Sequence, residues 1–454
     1  MKSVKIIVFL LIASCVYAQV ERYELGRRLK LLEQKLEVTK ENSVRKRAFE
    51  QINKAVLSFF SFKIQDAARS IDEARLALEG KQDRKEFLWA ESLFTSPDSR
   101  VYDAKQAYLK VTLDAFYAVD KPLAKKITWK LSISDSNGKS IKSLKPVTLN
   151  SLPAFQNISI TRIKQGDYFL LSEVFVEERK VLASMVLVSF IDSFEKRLES
   201  LKRELEGEDK SWQAETAREY VRILQDLKQG KIREADIPAA SFLSRAENYK
   251  KLIPKDGLLA IPYVDGAIQV SRVYIPDTSE KIPLVIALHG AGGSENLFFE
   301  GYGGGKALRL CKNRKWALVA PRNFGFNAEK MSELLDRLSE IYPIDKNSVF
   351  LIGHSLGSVQ ALTIASKKPE LFRALALISA GNFQGINEKF TRLPIFIGTG
   401  TSDFSFSSSR KLYDFLVKSG AEKVELKVYQ DVEHLTAVQF SLEDVFEFFD
   451  LAKI

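Results

Sequence analysis

The sequence predicts an α/β architecture. A C-terminal domain on a mostly parallel sheet follows helical segments that flank a small β-sandwich. Three observations carry this reading. From about 254 onward, strand-length apolar runs alternate with helical patterns, as in parallel sheets covered on both faces. Between about 102 and 188 the apolar period falls to two. On either side of that stretch, apolar residues recur at spacings of three and four, the mark of amphipathic helices. The chain has 454 residues, 45% hydrophobic and 28% charged, which is ordinary for a globular protein of several domains.

Residues 1–18 read as an export signal. Lys2 and Lys5 precede an apolar core at 6–13, and Val16-Tyr17-Ala18 ends in the small residue that cleavage prefers. That core is too short to span a bilayer. A second reading is that Ile12-Ala13-Ser14-Cys15 resembles a bacterial lipobox, with Cys15 lipidated. Either way the protein is expected to be exported: secreted, periplasmic or lipid-anchored at the cell envelope. Membrane contact is expected only through that anchor.

Residues 19–95 are expected to be helical. Leu25, Leu29, Leu32 and Leu36 form one stripe, and Phe49, Ile52, Val56 and Phe59 form another. Residues 96–190 are expected to form an immunoglobulin-like sandwich of six or seven short strands. Leu109, Val111 and Leu113 alternate with polar neighbours, as do Ile127, Trp129, Leu131 and Ile133. Asp135-Ser136-Asn137-Gly138 is a hairpin turn, because Asn-Gly accepts positive φ. Residues 191–253 return to helix, with Phe194, Leu198, Leu201 and Leu205 on one face. Residues 254–454 form the predicted α/β domain: a hairpin at 258–275, then strands at 283–289, 316–321, 349–352, 375–379, 393–398 and 424–429. Helices are expected between them, notably at 328–342 and 358–368.

Composition excludes several function classes. The net charge of +10 is spread over interleaved acids and bases, so no nucleic-acid surface is read. The chain has 2 cysteines, Cys15 and Cys311. Cys311 alone remains after the signal, so no intrachain disulfide is expected, and its apolar helical context suits a buried small hydrophobe. No metal-ligand cluster, dinucleotide fingerprint or P-loop is present, so no cofactor and no metal are expected.

The chemistry centres on Gly353-His354-Ser355-Leu356-Gly357, which closes an apolar strand and opens a helix. Small residues at both ends let the backbone turn sharply and expose the serine hydroxyl. A serine needs a base to become nucleophilic, and histidine suits that task at neutral pH. The chain has 3 histidines, His289, His354 and His434, all at strand ends or in loops of the C-terminal domain. His434, in the loop before the last helix, is the expected base. Asp403, in a Gly/Ser/Thr loop beyond an apolar strand, is the expected orienting acid, with Asp431 and Glu433 as competitors. Leu288-His289-Gly290-Ala291-Gly292-Gly293 ends another buried strand in a glycine-rich turn. The N–H groups of Leu356 and Ala291, with Gly292 as fallback, are the expected oxyanion donors. His289 is expected to brace this loop and His354 to support the elbow, both bordering the substrate. Gly301-Tyr302-Gly303-Gly304-Gly305 reads as a flexible turn, or as a rim on which Tyr302 meets substrate.

These motifs, with the run Tyr342-Pro343-Ile344-Asp345-Lys346-Asn347-Ser348-Val349-Phe350, resemble the serine α/β-hydrolases. They look most like secreted esterases of the polyhydroxybutyrate-depolymerase and feruloyl/acetylxylan-esterase type. The resemblance implies hydrolysis of a small-molecule or polymeric carboxylic ester through an acyl-serine intermediate. A peptidase of the prolyl-oligopeptidase kind, which shares the Ser-Asp-His order, is the alternative. An inactive surface-binding protein is a third reading.

Overall fold

The computed structural model describes residues 21–453 apart from 83, 104, 123–125, 233, 252, 324, 326 and 381–389. The expected export signal, with Cys15, lies outside the described residues. The chain forms two compact units. Of the described residues, the first comprises those within Met1–Leu32, Glu50–Glu208 and Ala217–Tyr249, and the second those within Glu33–Phe49, Asp209–Thr216 and Lys250–Ile454.

Helices α1 (21–38), α2 (Asn42–Phe60), α3 (Ile64–Leu78) and α4 (Lys85–Glu91) open the chain. Strands β1 (Leu93–Pro97), β2 (Val101–Asp103), β3 (Tyr108–Ala115), β4 (Ile127–Ser134), β5 (Ser140–Ser143), β6 (Val147–Thr148), β7 (Ala154–Ser159), β8 (Gly166–Val176) and β9 (Arg179–Ile191) follow. They form a three-stranded sheet, β1-β3-β7, and a six-stranded sheet in which β2-β9-β8-β4-β5 run in order and β6 pairs with β4. The alternating residues behave as their period requires. Leu109, Val111 and Leu113 of one sheet and Ile127, Trp129, Leu131 and Ile133 of the other share one buried core. The buried Trp129 indole donates to Ser172 Oγ at 2.9 Å, so its polar atom is satisfied. The expected turn joins β4 to β5, with Gly138 at φ +79°. Strand β1 begins in the stretch expected to be helical, three residues before the expected start of the sandwich at 96. Its Ser-Pro ending and short length carry no readable period, and its pairing with β3 is what makes it a strand. Helices α5 (Phe194–Glu206), α6 (Trp212–Lys228) and α7 (Ala239–Glu247) come next.

The second unit is built on an eight-stranded sheet. Its strands are β10 (Asp256–Pro262), β11 (Ile268–Tyr274), β12 (Ile282–Leu288), β13 (Ala317–Pro321), β14 (Ile344–His354), β15 (Ala374–Ile378), β16 (Ile395–Gly400) and β17 (Val424–Tyr429). Their order is β10-β11-β13-β12-β14-β15-β16-β17. The hairpin β10–β11 and the pair β11–β13 are antiparallel, and the remaining neighbours are parallel. The sheet is therefore mixed and largely parallel. Helices α8 (Lys306–Arg314), α9 (Ala328–Ile341), α10 (Leu356–Lys367), α11 (Phe406–Lys418) and α12 (Ala437–Lys453) complete the unit.

Every residue of β12 is buried, as a strand covered on both faces must be. On one face Leu284, Ile286, Leu351, Leu375 and Ile397 meet Met331, Leu334 and Leu338 of α9 and Ala361 and Ile364 of α10. On the other, Phe350 stacks between Trp316, at 5.0 Å, and Phe449 of α12, at 4.6 Å between ring centroids. Truncating such a buried leucine to alanine costs about 2–5 kcal/mol. This rigid core fixes where the strand ends lie. Leu288 is level with Gly353, and His354 with Ile378, so the loops beyond them emerge along one edge.

Candidate active site

In open α/β sheets, chemistry gathers beyond the carboxyl ends of the strands. Here His289 follows β12, Ser355 follows β14, Ser379 follows β15, and the loops after β16 and β17 carry Asp403 and His434.

Ser355 sits between β14 and α10 at φ 55°, ψ −118°, a conformation that costs a non-glycine residue about 1–3 kcal/mol. The surroundings hold it there. Its N–H donates to Ile378 O at 3.0 Å, and its carbonyl accepts from Ser358 Oγ at 2.7 Å. The flanking glycines are required by close approach. A Cβ on Gly357 would stand 2.1 Å from Leu288 O, and one on Gly353 would stand 2.3 Å from Gly357 O. The strain presents the hydroxyl, and Ser355 is partly exposed while its neighbours Gly353, His354 and Gly357 are buried.

The Ser355 hydroxyl lies 2.9 Å from His434 Nε2, and His434 Nδ1 lies 2.9 Å from Asp403 Oδ1. A carboxylate only accepts, so Nδ1 carries the proton and Nε2 is left to accept from the serine. Asp403 also accepts from Ser405 N–H at 2.8 Å, from Ser405 Oγ at 2.8 Å and from Ser379 Oγ. Burial alone would push this carboxyl up. The hydrogen bond from His434 and its charge, then the bonds from Ser379 and Ser405, outweigh it and hold the group down at about 2.

The competing acids serve elsewhere. Glu433 accepts from Leu435 N–H, Thr436 N–H and Thr436 Oγ1, which caps the chain just before α12. Asp431 accepts from Gln430 Nε2, and its N–H donates to Thr401 Oγ1 at 2.8 Å.

The glycine-rich turn after β12 lies against the elbow. A Cβ on Gly290 would stand 3.2 Å from Ser355 Cβ. Gly293 N–H closes the turn on Gly290 O at 3.2 Å, and Gly292 takes φ +74°. Ala291 and Gly292 are exposed. Among the described residues, the N–H groups of Leu356 and Ala291 have no protein acceptor. His289 lies 2.5 Å through Nε2 from Arg322 O, and Arg322 pairs with the buried Glu295. His289 thus ties the turn to the segment after β13.

Two residues expected at the substrate rim lie beneath it. Tyr302 is 4% exposed and His354 2%, so neither borders open solvent. The Tyr302 hydroxyl donates to His354 Nδ1 at 2.8 Å, and His354 Nε2 donates to His434 O at 3.1 Å. Burial, then the neighbouring His434, pushes His354 down to about 3, so it is neutral at ordinary pH. The reason for the difference is tertiary: both side chains are covered because each has a polar partner inside the unit.

Ser379, Ser405 and Phe404 were not singled out in the sequence. Ser405, two residues after an aspartate, has a local signal in its Asx-type spacing. Phe404 has none, yet its ring stacks on the His434 imidazole at 4.0 Å while remaining 65% exposed. Leu356, 43% exposed, adds a second apolar side chain next to Ser355. Among the described residues, no group of three or more His, Cys, Asp or Glu is placed to hold a metal, and no helix is long and apolar enough to cross a membrane. Cys311 is buried in α8, where burial raises its thiol far above the usual range.

Residues 283–404 match the family described as alpha/beta hydrolase fold, and the mixed, largely parallel sheet of the second unit has that fold. No curated protein matches the sequence. Among solved structures, the chain is similar to a thermostable esterase at 16% identity and TM-score 0.40, over 80% of this chain and 98% of the other. It is also similar to an S-formylglutathione hydrolase of Staphylococcus aureus, at 15% identity and TM-score 0.37, over 42% and 97% of the two chains. A third similarity is to the feruloyl esterase module of Clostridium thermocellum, at 13% identity and TM-score 0.37, over 43% and 89%.

Proposed function

We propose that this chain is an exported serine hydrolase that cleaves carboxylic esters through an acyl-serine intermediate. The observation that carries the reading is the pair of 2.9 Å contacts joining Ser355, His434 and Asp403. Ser355 Oγ attacks the ester carbonyl as its proton passes to His434 Nε2. Asp403 fixes the imidazole tautomer and stabilises its charged form. The tetrahedral oxyanion is held by the N–H groups of Leu356 and Ala291, with Gly292 in reserve, each donor contributing about 3–4 kcal/mol. His434 then protonates the leaving alcohol, and water repeats the sequence to release the acid.

The exposed Phe404 and Leu356 give the ester an apolar surface beside the nucleophile. The glycine-rich turn and the elbow, read in the sequence as esterase-like, support an ester over a peptide. Substrates are taken to be small-molecule or polymeric esters. Export rests on the pattern of residues 1–18, by cleavage after Ala18 or lipidation at Cys15. The organisation proposed is a signal, two helical regions around a sandwich at 96–190, and a hydrolase domain at 254–454.

The test is turnover of p-nitrophenyl acetate and of feruloyl, polyester and peptide substrates by the wild type and Ser355→Ala. Ester turnover that falls by at least about 10⁴-fold in the variant is expected. Peptide cleavage without ester cleavage would replace the reading with the peptidase one.

A further inference from the structure

The Gly301–Gly305 loop and the helix that carries Glu33 have no part in the mechanism above, yet contacts inside the second unit connect them to it. Glu33 is 0% exposed and belongs to that unit. Its Oε2 accepts from Gly303 N–H, and Gly304 N–H also bonds to the carboxyl. Gln439 of α12 fixes the same helical turn, donating to Glu33 O at 2.8 Å and to Glu37 Oε2 at 2.9 Å. The glycines are needed for this fit: a Cβ on Gly304, which sits at φ +60°, would stand 2.6 Å from Gln34 Cγ. Tyr302, beside Gly303, is clamped edge-on by Phe298 at 4.9 Å between centroids. Its hydroxyl reaches His354 at 2.8 Å, and His354 reaches the backbone carbonyl of His434 at 3.1 Å.

We infer that Glu33 is a positioning residue of the reaction proposed for Ser355, acting through Gly303, Tyr302 and His354 on the backbone of His434. The inference rests on that proposed reaction. Every link in the chain is buried and each is a hydrogen bond or a covalent neighbour, so a shift at the Gly303 end has no soft element to absorb it.

The protonation state of Glu33 follows from what surrounds it. Burial pushes its carboxyl well above the usual range, and the Glu433 and Glu37 carboxylates add to this against the opposing Gly303 and Gly304 N–H groups. Lys306, the nearby cation of α8, is engaged with Glu37 at 3.3 Å and Glu443 at 3.7 Å. Glu33 Oε1 and Gln439 Oε1 are both buried acceptors with no donor among the described residues. A neutral Glu33 carries a hydroxyl donor, and a glutamine would carry an amide donor while still accepting the glycine N–H bonds.

The test compares Glu33→Ala, Glu33→Gln and Tyr302→Phe in the full chain. Rates on p-nitrophenyl acetate are divided by the fluorophosphonate-titrated site concentration. The hydrogen-bonded imidazole protons are observed by NMR without substrate, where 3 histidines keep assignment simple. Glu33→Ala is expected to lower kcat per site about 10–100-fold with KM within about twofold, as misplaced catalytic groups do. It should also move the His434 Nδ1 proton resonance. Glu33→Gln should recover most of the rate and the wild-type resonance. Tyr302→Phe, which deletes the donor to His354 and the acceptor of Gly290 N–H, should shift both readouts in the same direction, and it serves if Glu33→Ala does not fold. Fewer titratable sites with unchanged kcat per site and an unmoved resonance would overturn the inference. If the wild type proves to have no serine-dependent turnover, the enzymatic reading fails. The resonance, needing no substrate, still decides whether Glu33 positions His434.

Discussion

Asp72 of the first unit and Asp403 of the second are both buried aspartates beside a basic partner, and they are held in opposite ways. Asp72 meets Arg28 at 2.5 Å and the Tyr117 hydroxyl at 2.8 Å. Its Oδ1 has no partner, and the Glu91 carboxylate lies nearby, so burial drives its carboxyl up to about 6 despite Arg28. Asp403 has donors on both oxygens and is held at about 2. At Asp403 the hydrogen bond and charge of His434, joined by the serine donors, outweigh burial, whereas at Asp72 burial outweighs Arg28. The first arrangement joins α1, α3 and the chain near β1, through Arg28, Asp72 and the Glu91 and Leu93 carbonyls. The second holds an imidazole in one tautomer for work on a neighbour.

This contrast can be broken by substituting the same residue type in each place. Asp403→Asn should lower kcat about 10³–10⁴-fold, because the amide admits the wrong imidazole tautomer. Asp72→Asn should leave turnover per folded molecule within about twofold. It should instead cost about 3–5 kcal/mol of unfolding free energy, because it breaks the close buried pair and leaves Arg28 only Glu24, at 3.5 Å. Turnover and urea unfolding of the two variants, measured side by side, check both statements. Equal kinetic losses would erase the distinction.

Acid sharpens the comparison further. His354 is held near 3, below the ordinary histidine value of about 6.5. The unfolded chain therefore takes up a proton there that the folded one refuses, and stability falls as pH drops through that window. The expected slope is about 1.4 kcal/mol per pH unit between about 6.5 and 3. His354→Gln should remove this slope from the pH dependence of urea unfolding, whatever its effect at neutral pH. The depressed Asp403 works in a lower window. Its contribution, on the order of 2 kcal/mol, is present above the unfolded value near 4 and is lost as pH falls toward about 2.

The smallest expected effect concerns Phe404. Replacing it by alanine uncovers one face of His434 and removes apolar surface beside Ser355. A loss of about 3–20-fold in kcat/KM on aromatic or long-chain esters is expected, less on acetate. Equal losses on all esters would point to imidazole support alone.

Part of the site was legible in the sequence because Ser355 and Asp403 follow apolar strands that are buried on both faces, and runs of that kind are readable. His434 follows the partly exposed edge strand β17, where the signal is the alternation of Val424, Leu426 and Val428 with charged neighbours. Ser379 was not legible. A serine after an apolar run is common, and only the loop after β16 gives it Asp403 as a partner. Tyr302 and His354 were placed at the rim because glycine-rich turns are usually exposed. Their actual neighbours, Phe298 and His354 for Tyr302 and the distant Tyr302 and His434 for His354, are set by tertiary packing that no local period reveals. Strand β1 was missed for a related reason, since its structure is supplied by β3. The sandwich strands with clean alternation, β3 and β4, were readable because each has one face buried.

Ser355 is the proposed nucleophile and His434 the base that activates it. The most direct measurement is peptide-resolved mass spectrometry of the full chain after reaction with a fluorophosphonate, for the wild type and for His434→Ala. One adduct is expected on Ser355 in the wild type, with labelling slowed by at least about a thousandfold in the variant. An adduct on another residue, or labelling at the same rate without His434, would contradict it.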